Sequence, residues 1–133
     1  MMSKAPRTEF KSQAMVCDYL RSYLPHIIFI SDLSGIWMPP GLAYKIAPLK
    51  SSRGIPDLII LEPFIHQDKS YNGLAIEMKA EGKNPFKKNG DLKSDEHLRE
   101  QYDMLLRLRD KGYYADFCVG HRAAIDLIQE FYQ

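Results

Sequence analysis

Apolar side chains recur every three or four residues near the start of the chain, at Phe10, Ala14, Cys17, Leu20 and Leu24. This spacing is typical of a helix with one face against a core. Thr8 is suited to cap the start of such a helix, and Pro25 is suited to end it. We therefore predict a first helix from Thr8 to Leu24.

Four short runs of β-branched and aromatic residues predict the strands of a sheet. They are His26–Ile30, Asp57–Leu61, Leu74–Lys79 and Tyr113–Val119. A polar turn at residues 71–73 precedes the third run, and the second and third runs could pair as a hairpin.

Two more helices are predicted in the second half of the chain. Ser94 is the expected cap of the first, which carries an apolar stripe and ends at Lys111 and Gly112. The stripe consists of Leu98, Tyr102, Leu105 and Leu106. Arg122–Tyr132 forms the last helix. The order αββ(β)αβα predicts an α/β fold in which helices flank a central mixed β-sheet, with residues 1–133 as one domain.

Two segments lack a periodic pattern. Residues 33–54 are rich in Pro and Gly around the only tryptophan, Trp37. They predict an irregular connection, with a strand near Trp37 and a helical turn near Tyr44. Residues 80–93 contain two Gly, one Pro, two Asn and four Lys, which predicts a mobile, basic loop.

Composition narrows the possible classes of protein. The formal net charge of +1 argues against a uniformly basic protein that coats nucleic acid, so any basic surface is local. Cys17 and Cys118 each lie in an apolar stretch and are expected to be reduced core thiols. The sequence shows no signal peptide and no apolar stretch long enough to span a membrane, so we expect a cytoplasmic protein with no membrane partner. We also expect no small-molecule cofactor.

Candidate chemistry lies in the strand LAIEMK. Side chains alternate along a strand, so Glu77 and Lys79 share one face. Asp57 opens the neighbouring strand, and pairing would bring its carboxylate close to Glu77. Two close carboxylates repel each other unless a cation such as Mg²⁺ joins them. A metal-bound water beside a lysine suits phosphodiester hydrolysis.

Pro56, Asp57, Glu77, Met78 and Lys79 form a PD…ExK signature. Gly54 precedes it, Glu9 lies in the earlier predicted helix, and Gln101 lies in the later one. The chain thus resembles the PD-(D/E)XK nuclease superfamily. Within it, the chain looks most like the VRR-Nuc group of virus-type replication-repair nucleases, with its helix glutamate, G-x-x-D, E-x-K and helical glutamine.

The resemblance implies a restriction-endonuclease-like fold and a role for each matching residue. Glu9, Asp57, Glu77 and the Met78 main-chain carbonyl would bind Mg²⁺, or Mn²⁺ in its place. Lys79 would be catalytic together with Asp57 and Glu77, and Gln101 would position the site. The implied activity is a structure-specific endonuclease that cuts branched, junction or flap DNA in replication, repair or recombination, often as a homodimer.

Further polar residues are candidates for contact with DNA: Gln13, Lys50, Arg53, Lys83, Lys87 and Lys88. Each also has a structural explanation, since Gln13 can edge the core and lysines are common in solvated loops. Glu9 could equally favour the helix dipole as a first-turn acid. For a homodimer, the candidate contacts are Trp37, Tyr113, Tyr114 and the last helix.

Two other functions are compatible with the sequence. One is a sequence-specific restriction or homing-type nuclease, which would need base-reading side chains. The other is a non-catalytic nucleic-acid-binding or assembly module on a nuclease fold, against which the complete set of two acids and a lysine argues.

Overall fold

The computed structural model describes residues 4–33, 36–50 and 53–133, with side chains in the first helix from Glu9 onwards. These residues form α1 Lys4–Tyr23, β1 Phe29–Ser31, α2 Pro40–Ile46, β2 Leu58–Ile60, β3 Phe64–His66, β4 Lys69–Tyr71, β5 Gly73–Lys79, α3 Glu96–Asp110, β6 Tyr113–Val119 and α4 His121–Tyr132. A short 3-10 turn, Ala47–Leu49, follows α2.

The central sheet has the strand order β1-β2-β5-β6. β1, β2 and β5 pair antiparallel, and β6 pairs parallel to β5. The prediction of a mixed sheet is therefore confirmed, as is the pairing of the strand after Asp57 with the strand of Glu77. β3 and β4, which lie between β2 and β5 in the sequence, pair with each other in a separate two-stranded hairpin.

Helices cover both faces of the sheet. Leu74, Ile76 and Met78 of β5 are fully buried in the core that includes residues of α1 and α4. Ala75 faces the other way, into a smaller core with Leu98 of α3. The predicted alternation of side chains along β5 is thus confirmed, and the polar residues of the strand share the α3 side with Ala75.

The prediction for the first helix was wrong at its start. α1 begins at Lys4 and not after Thr8, because Pro6 lies within its first turn, where a missing N–H breaks no helical hydrogen bond. Phe10 and Ala14 are exposed, whereas Val16 is fully buried. The reason is that this end of α1 lies beside polar groups at the sheet edge and not over the apolar core.

Other local predictions also need correction. Asp95 caps α3 in place of Ser94, since its Oδ1 accepts a hydrogen bond from the Leu98 N–H at 3.1 Å. Met104 is buried in α3, while Leu106 is 38% exposed. Among the described residues near Trp37 there is no strand, because α2 begins at Pro40; this helix confirms the turn expected near Tyr44.

The β3–β4 hairpin was not predicted. Its turn residues Gln67 and Asp68 both have positive φ, at 51° and 65°, which is the geometry of a two-residue hairpin turn. Phe64 anchors the hairpin by stacking on Phe131 of α4 at a centroid distance of 4.4 Å. The connection between β2 and β5 therefore contains a packed element ahead of the predicted turn at residues 71–73.

Both cysteines are buried and unpaired, as predicted. Burial raises the pKa of the Cys118 thiol to about 12, so this thiol is unreactive at neutral pH. None of the helices described here is both long and apolar enough to cross a membrane.

Gly54 occupies a position that other residues would fit poorly. Its φ is +82°, and a Cβ at this position would lie 2.8 Å from the main-chain oxygen of Glu100 in α3. The segment that leads into Asp57 thus passes directly against α3. This contact explains why a glycine stands three residues before the aspartate.

We predict that Gly54→Ala lowers the free energy of unfolding by about 2–4 kcal/mol, since backbone strain and a steric clash add together. Gly82→Ala is the matched control, because Gly82 also has positive φ, at +80°, but has open space around it. The control should lose only about 1 kcal/mol. Chemical denaturation measures both, and equal losses would contradict the steric explanation.

Candidate active site

β5 presents Glu77 and Lys79 at the carboxyl end of a central strand. The strand lies between β2 and β6, with Glu77 opposite Phe117 and Lys79 opposite Val119. Glu77 is only 4% exposed, although it is charged at neutral pH in an ordinary environment. A buried carboxyl group of this kind needs specific partners.

Asp57 is the first of those partners. Leu58 pairs with Ile76 in the antiparallel register of β2 and β5, so Asp57 lies at the next position, level with Glu77. Its Oδ2 accepts a hydrogen bond from the Met78 N–H at 2.8 Å. The Asp57 carboxylate also shares a hydrogen bond with the Glu77 carboxyl group. The two acids predicted to approach each other therefore do so.

Glu9 reaches the same place from α1. Its carboxylate is half-buried and lies near the main-chain N–H of Ala80, directly after β5, which partly offsets the rise in its pKa that burial causes. It also interacts electrostatically with Lys79 and Asp57. The structure thus brings a residue from α1 to the end of β5, although the two lie some seventy residues apart in sequence.

Lys79 is held on the α3 side of the carboxylates. Its Nζ donates a hydrogen bond to Oε1 of Gln101 at 2.6 Å, and lies 5.7 Å from the centre of the Phe117 ring. Gln101 is itself buried. The amide of this glutamine therefore fixes the position of the lysine ammonium.

His97 extends this chain of contacts and was missed as a site residue in the sequence. Its Nε2 lies 3.2 Å from Nε2 of Gln101. Because Oε1 of Gln101 accepts from Lys79, its Nε2 is the donor, and the imidazole nitrogen is the acceptor. The signal was available, since His97 precedes Gln101 by four residues and thus lies on the same face of a helix.

Gln13 supports the main chain around Asp57. Its Nε2 donates to Ser31 Oγ at 2.8 Å, to the Asp32 carbonyl at 3.0 Å and to the Asp57 carbonyl at 3.1 Å. This side chain ties α1 to β1 and to the start of β2. It has the structural role that was the alternative to DNA contact, and the DNA contact stays a prediction.

The basic residues predicted to contact DNA lie on two exposed segments. Arg53 is 88% exposed in its side chain and forms an ion pair with Glu100 of α3 at 3.4 Å. Lys50 follows the 3-10 turn and is exposed. Lys83, Lys87 and Lys88 are exposed in the loop between β5 and α3. Their contact with DNA stays a prediction.

Two acids of the site, Glu77 and Glu9, have raised pKa values. Burial, followed by the hydrogen bond and the negative charge of Asp57, raises the pKa of Glu77 well above its ordinary value, against the opposing effect of Lys79. Burial also raises the pKa of Glu9, and the charge of Asp57 adds to the effect while Lys79 opposes it. A bound cation would lower both pKa values.

The chemistry of these donors fits a hard divalent cation, which prefers carboxylate and carbonyl oxygens. Glu9, Asp57, Glu77 and the main-chain carbonyl of Met78 would supply them. Within the part of the chain that the structure describes, no three His, Cys, Asp or Glu side chains form a group that could hold a metal on their own. Metal binding by these four residues stays a prediction.

Comparison with known proteins supports the fold. No protein-family model matches the chain, and no match is found among curated proteins. A solved structure described as a "VRR_NUC domain protein" aligns with a TM-score of 0.63 at 22% identity, covering 94% of this chain and 88% of that one. The chain therefore has the fold of a VRR-Nuc domain, a PD-(D/E)XK-type nuclease fold, as the motifs predicted.

We predict that Glu77→Gln stabilises the metal-free protein at pH 8 and has a smaller effect at pH 5. Since the pKa of Glu77 is raised by folding, its protonated carboxyl group contributes stability that is fully present below about pH 4.3, the ordinary value for glutamate. That contribution is lost as the pH rises through the folded-state pKa. The amide needs no proton at any pH.

Thermal melting of the wild type and the variant in EDTA, at both pH values, measures the difference. Because both proteins share all other titrating groups, the comparison isolates residue 77. A variant that is less stable than the wild type at both pH values would show that Glu77 is not strained in the metal-free fold.

Proposed function

We propose that the chain is a metal-dependent endonuclease that hydrolyses phosphodiester bonds in DNA. The observation that carries the proposal is the convergence of Glu9, Asp57 and Glu77 with the Lys79–Gln101 pair at one end of β5. These residues come from four separate regions of the chain: α1, the start of β2, β5 and α3. A cluster of three acids, one of them buried, next to a fixed lysine is costly for folding and is typical of a catalytic centre.

In this proposal the acids hold a divalent ion, and Lys79 acts on the reacting phosphate. Mg²⁺, or Mn²⁺ in its place, would polarise a phosphate oxygen and lower the pKa of a bound water. Gln101 holds the Lys79 ammonium beside the acids, where it can orient a water or stabilise negative charge that develops on the phosphate. The Asp57 carboxylate is fixed by the Met78 N–H, so it needs little rearrangement.

The proposed substrate is branched DNA, such as a junction or flap, in replication, repair or recombination. The VRR-Nuc resemblance supports this choice, and the small size of the chain fits a homodimer in which each copy holds one DNA arm. Among the contacts suggested by the sequence, Tyr114 packs against Tyr71 and Phe131 within its own chain. Trp37, Tyr113 and α4 stay candidates for the dimer contact.

We predict that Lys79→Ala reduces metal-dependent cutting by about 100- to 1000-fold, the typical effect of losing one donor to a developing negative charge. The assay uses labelled four-way junction, flap, single-stranded and blunt duplex DNA with Mg²⁺, Mn²⁺ or EDTA. Lys69→Ala is the matched control, because Lys69 lies on β4, near the opposite end of β5. It should cut as the wild type does.

Cutting that persists in Lys79→Ala would remove this lysine from the mechanism. If the folded wild type binds DNA but cuts no substrate with any metal, the non-catalytic module is the correct function. Cutting of plain duplex at one sequence only would instead identify a restriction-type nuclease.

We also predict a dimer in light scattering at micromolar concentration, with a mass of twice the 15.4 kDa of the chain. Activity should fall when the protein is diluted below the dissociation constant of the dimer. A monomer that retains full activity per molecule at nanomolar dilution would contradict the proposal of a homodimer.

A further inference from the structure

The segment between β1 and β2 differs in charge from the rest of the molecule. Residues 33–56 contain three basic side chains, Lys45, Lys50 and Arg53, and no acidic one. The rest of the chain has fifteen of the eighteen basic side chains and all seventeen acidic ones. Because it lacks acidic side chains, this segment has a formal net charge of +3, whereas the rest of the chain has a formal net charge of −2.

Both ends of this segment are fixed next to the candidate active site. At its start, the Asp32 N–H donates a hydrogen bond to the Asp57 carbonyl at 2.8 Å. At its end, Arg53 contacts Glu100 of α3, and Gly54 packs against the same helix. The segment thus leaves the sheet beside Asp57 and returns to it there.

Between these ends the segment exposes large aromatic side chains. Trp37 is 72% exposed and Tyr44 is 84% exposed. Neither α2 nor the 3-10 turn contains a buried residue. Within α2, the half-buried Ala43 and Ile46 lie on one side, and Tyr44 points away from them. An element that buries little and exposes aromatic surface is typical of a binding site.

We propose that Trp37 and Tyr44 stack on unpaired bases of the DNA that enters the active site, while Lys45 and Lys50 contact the adjacent phosphates. The inference deepens the proposed function and rests on it. Exposed aromatic rings next to basic residues are the features with which proteins bind single-stranded nucleic acid, because every base has a π-face and every link carries a negative charge.

The positive charge of this segment makes a second copy of the chain an unfavourable partner for this surface. In a two-fold symmetric contact the same patch meets itself, so two acid-free segments, each with Lys45 and Lys50, would face each other. Like charges in an interface are unfavourable. Within the described part of the chain, neither Lys45 nor Lys50 forms an ion pair that would offset this repulsion.

The test uses the fluorescence of Trp37, which is the only tryptophan. The wild type is titrated in EDTA with oligothymidine, with a forked duplex that has unpaired arms, and with a blunt duplex of equal length. We expect quenching by the single strand and the fork, and much less by the blunt duplex. Binding of labelled single strand without any change in emission would overturn the proposal. So would a blue shift that grows with protein concentration in the absence of DNA, which would indicate a second copy.

Variants then separate stacking from simple apolar contact. Trp37→Ala and Tyr44→Ala should each weaken the binding of labelled single strand, measured by anisotropy, by roughly five- to tenfold or more. Trp37→Phe keeps a π-face and should retain most of the affinity, whereas Trp37→Leu should behave like the alanine variant. Ile65→Ala is the control, because Ile65 is 73% exposed on β3 outside the segment. Wild-type affinity in Trp37→Leu would overturn stacking.

The same measurements distinguish this inference from the proposed function. If both hold, Lys79→Ala loses cutting and keeps the quenching of Trp37. Quenching by single strands in a wild type that cuts nothing would support the binding surface and overturn the nuclease activity. Cutting of junction, flap and blunt duplex DNA without quenching would support the nuclease and overturn the binding surface.

Discussion

Two buried strands, β2 and β5, pair antiparallel with Leu58 opposite Ile76, and this register determines where the acids of the site lie. Asp57 and Glu77 become neighbours because Asp57 directly precedes Leu58 and Glu77 directly follows Ile76. A shift of one residue would turn every side chain of β2 to the other face of the sheet. The apolar residues of both strands therefore fix the geometry of the polar site, since burying them permits only one register.

The acids and the lysine are supported from different directions. A hydrogen bond from the main-chain N–H of Met78 holds the carboxylate of Asp57, whereas a side-chain amide on α3 holds Lys79. Main-chain donors are set by the fold and keep their places when neighbouring side chains change. The lysine depends on a single buried glutamine, so its position is more sensitive to substitution in α3.

Much of the fold could be predicted from the sequence because β5 has a regular alternation of side chains and carries the E-x-K residues. Its apolar residues alternate with Ala75, Glu77 and Lys79, which is the period of two that is typical of a strand. The E-x-K spacing therefore identified the central strand, and the Gly54 and Gln101 positions identified its neighbours. The roles of the site residues are not tested by the fold and stay predictions.

The remaining features depend on tertiary contacts that a local pattern does not show. The β3–β4 hairpin is stable because Phe64 packs on α4, which is nearly seventy residues later in the chain. His97 was missed because its spacing to Gln101 only places the two residues on one helix face, whereas their contact depends on the direction of the Gln101 amide. α1 starts at Lys4, before the cap predicted at Thr8, because Pro6 is compatible with a first helical turn.

The close packing of Gly54 on Glu100 has a mechanical consequence. The segment that runs from Gly54 into β2 carries Asp57, and α3, which Gly54 contacts, carries Gln101. A close backbone contact therefore joins the segment with an acid of the site to the helix that positions Lys79. A shift of α3 along the sheet would displace Asp57 and Lys79 together. Because Arg53 forms an ion pair with Glu100 in the same turn of α3, a force on the segment of Trp37 and Tyr44 would also act on this contact.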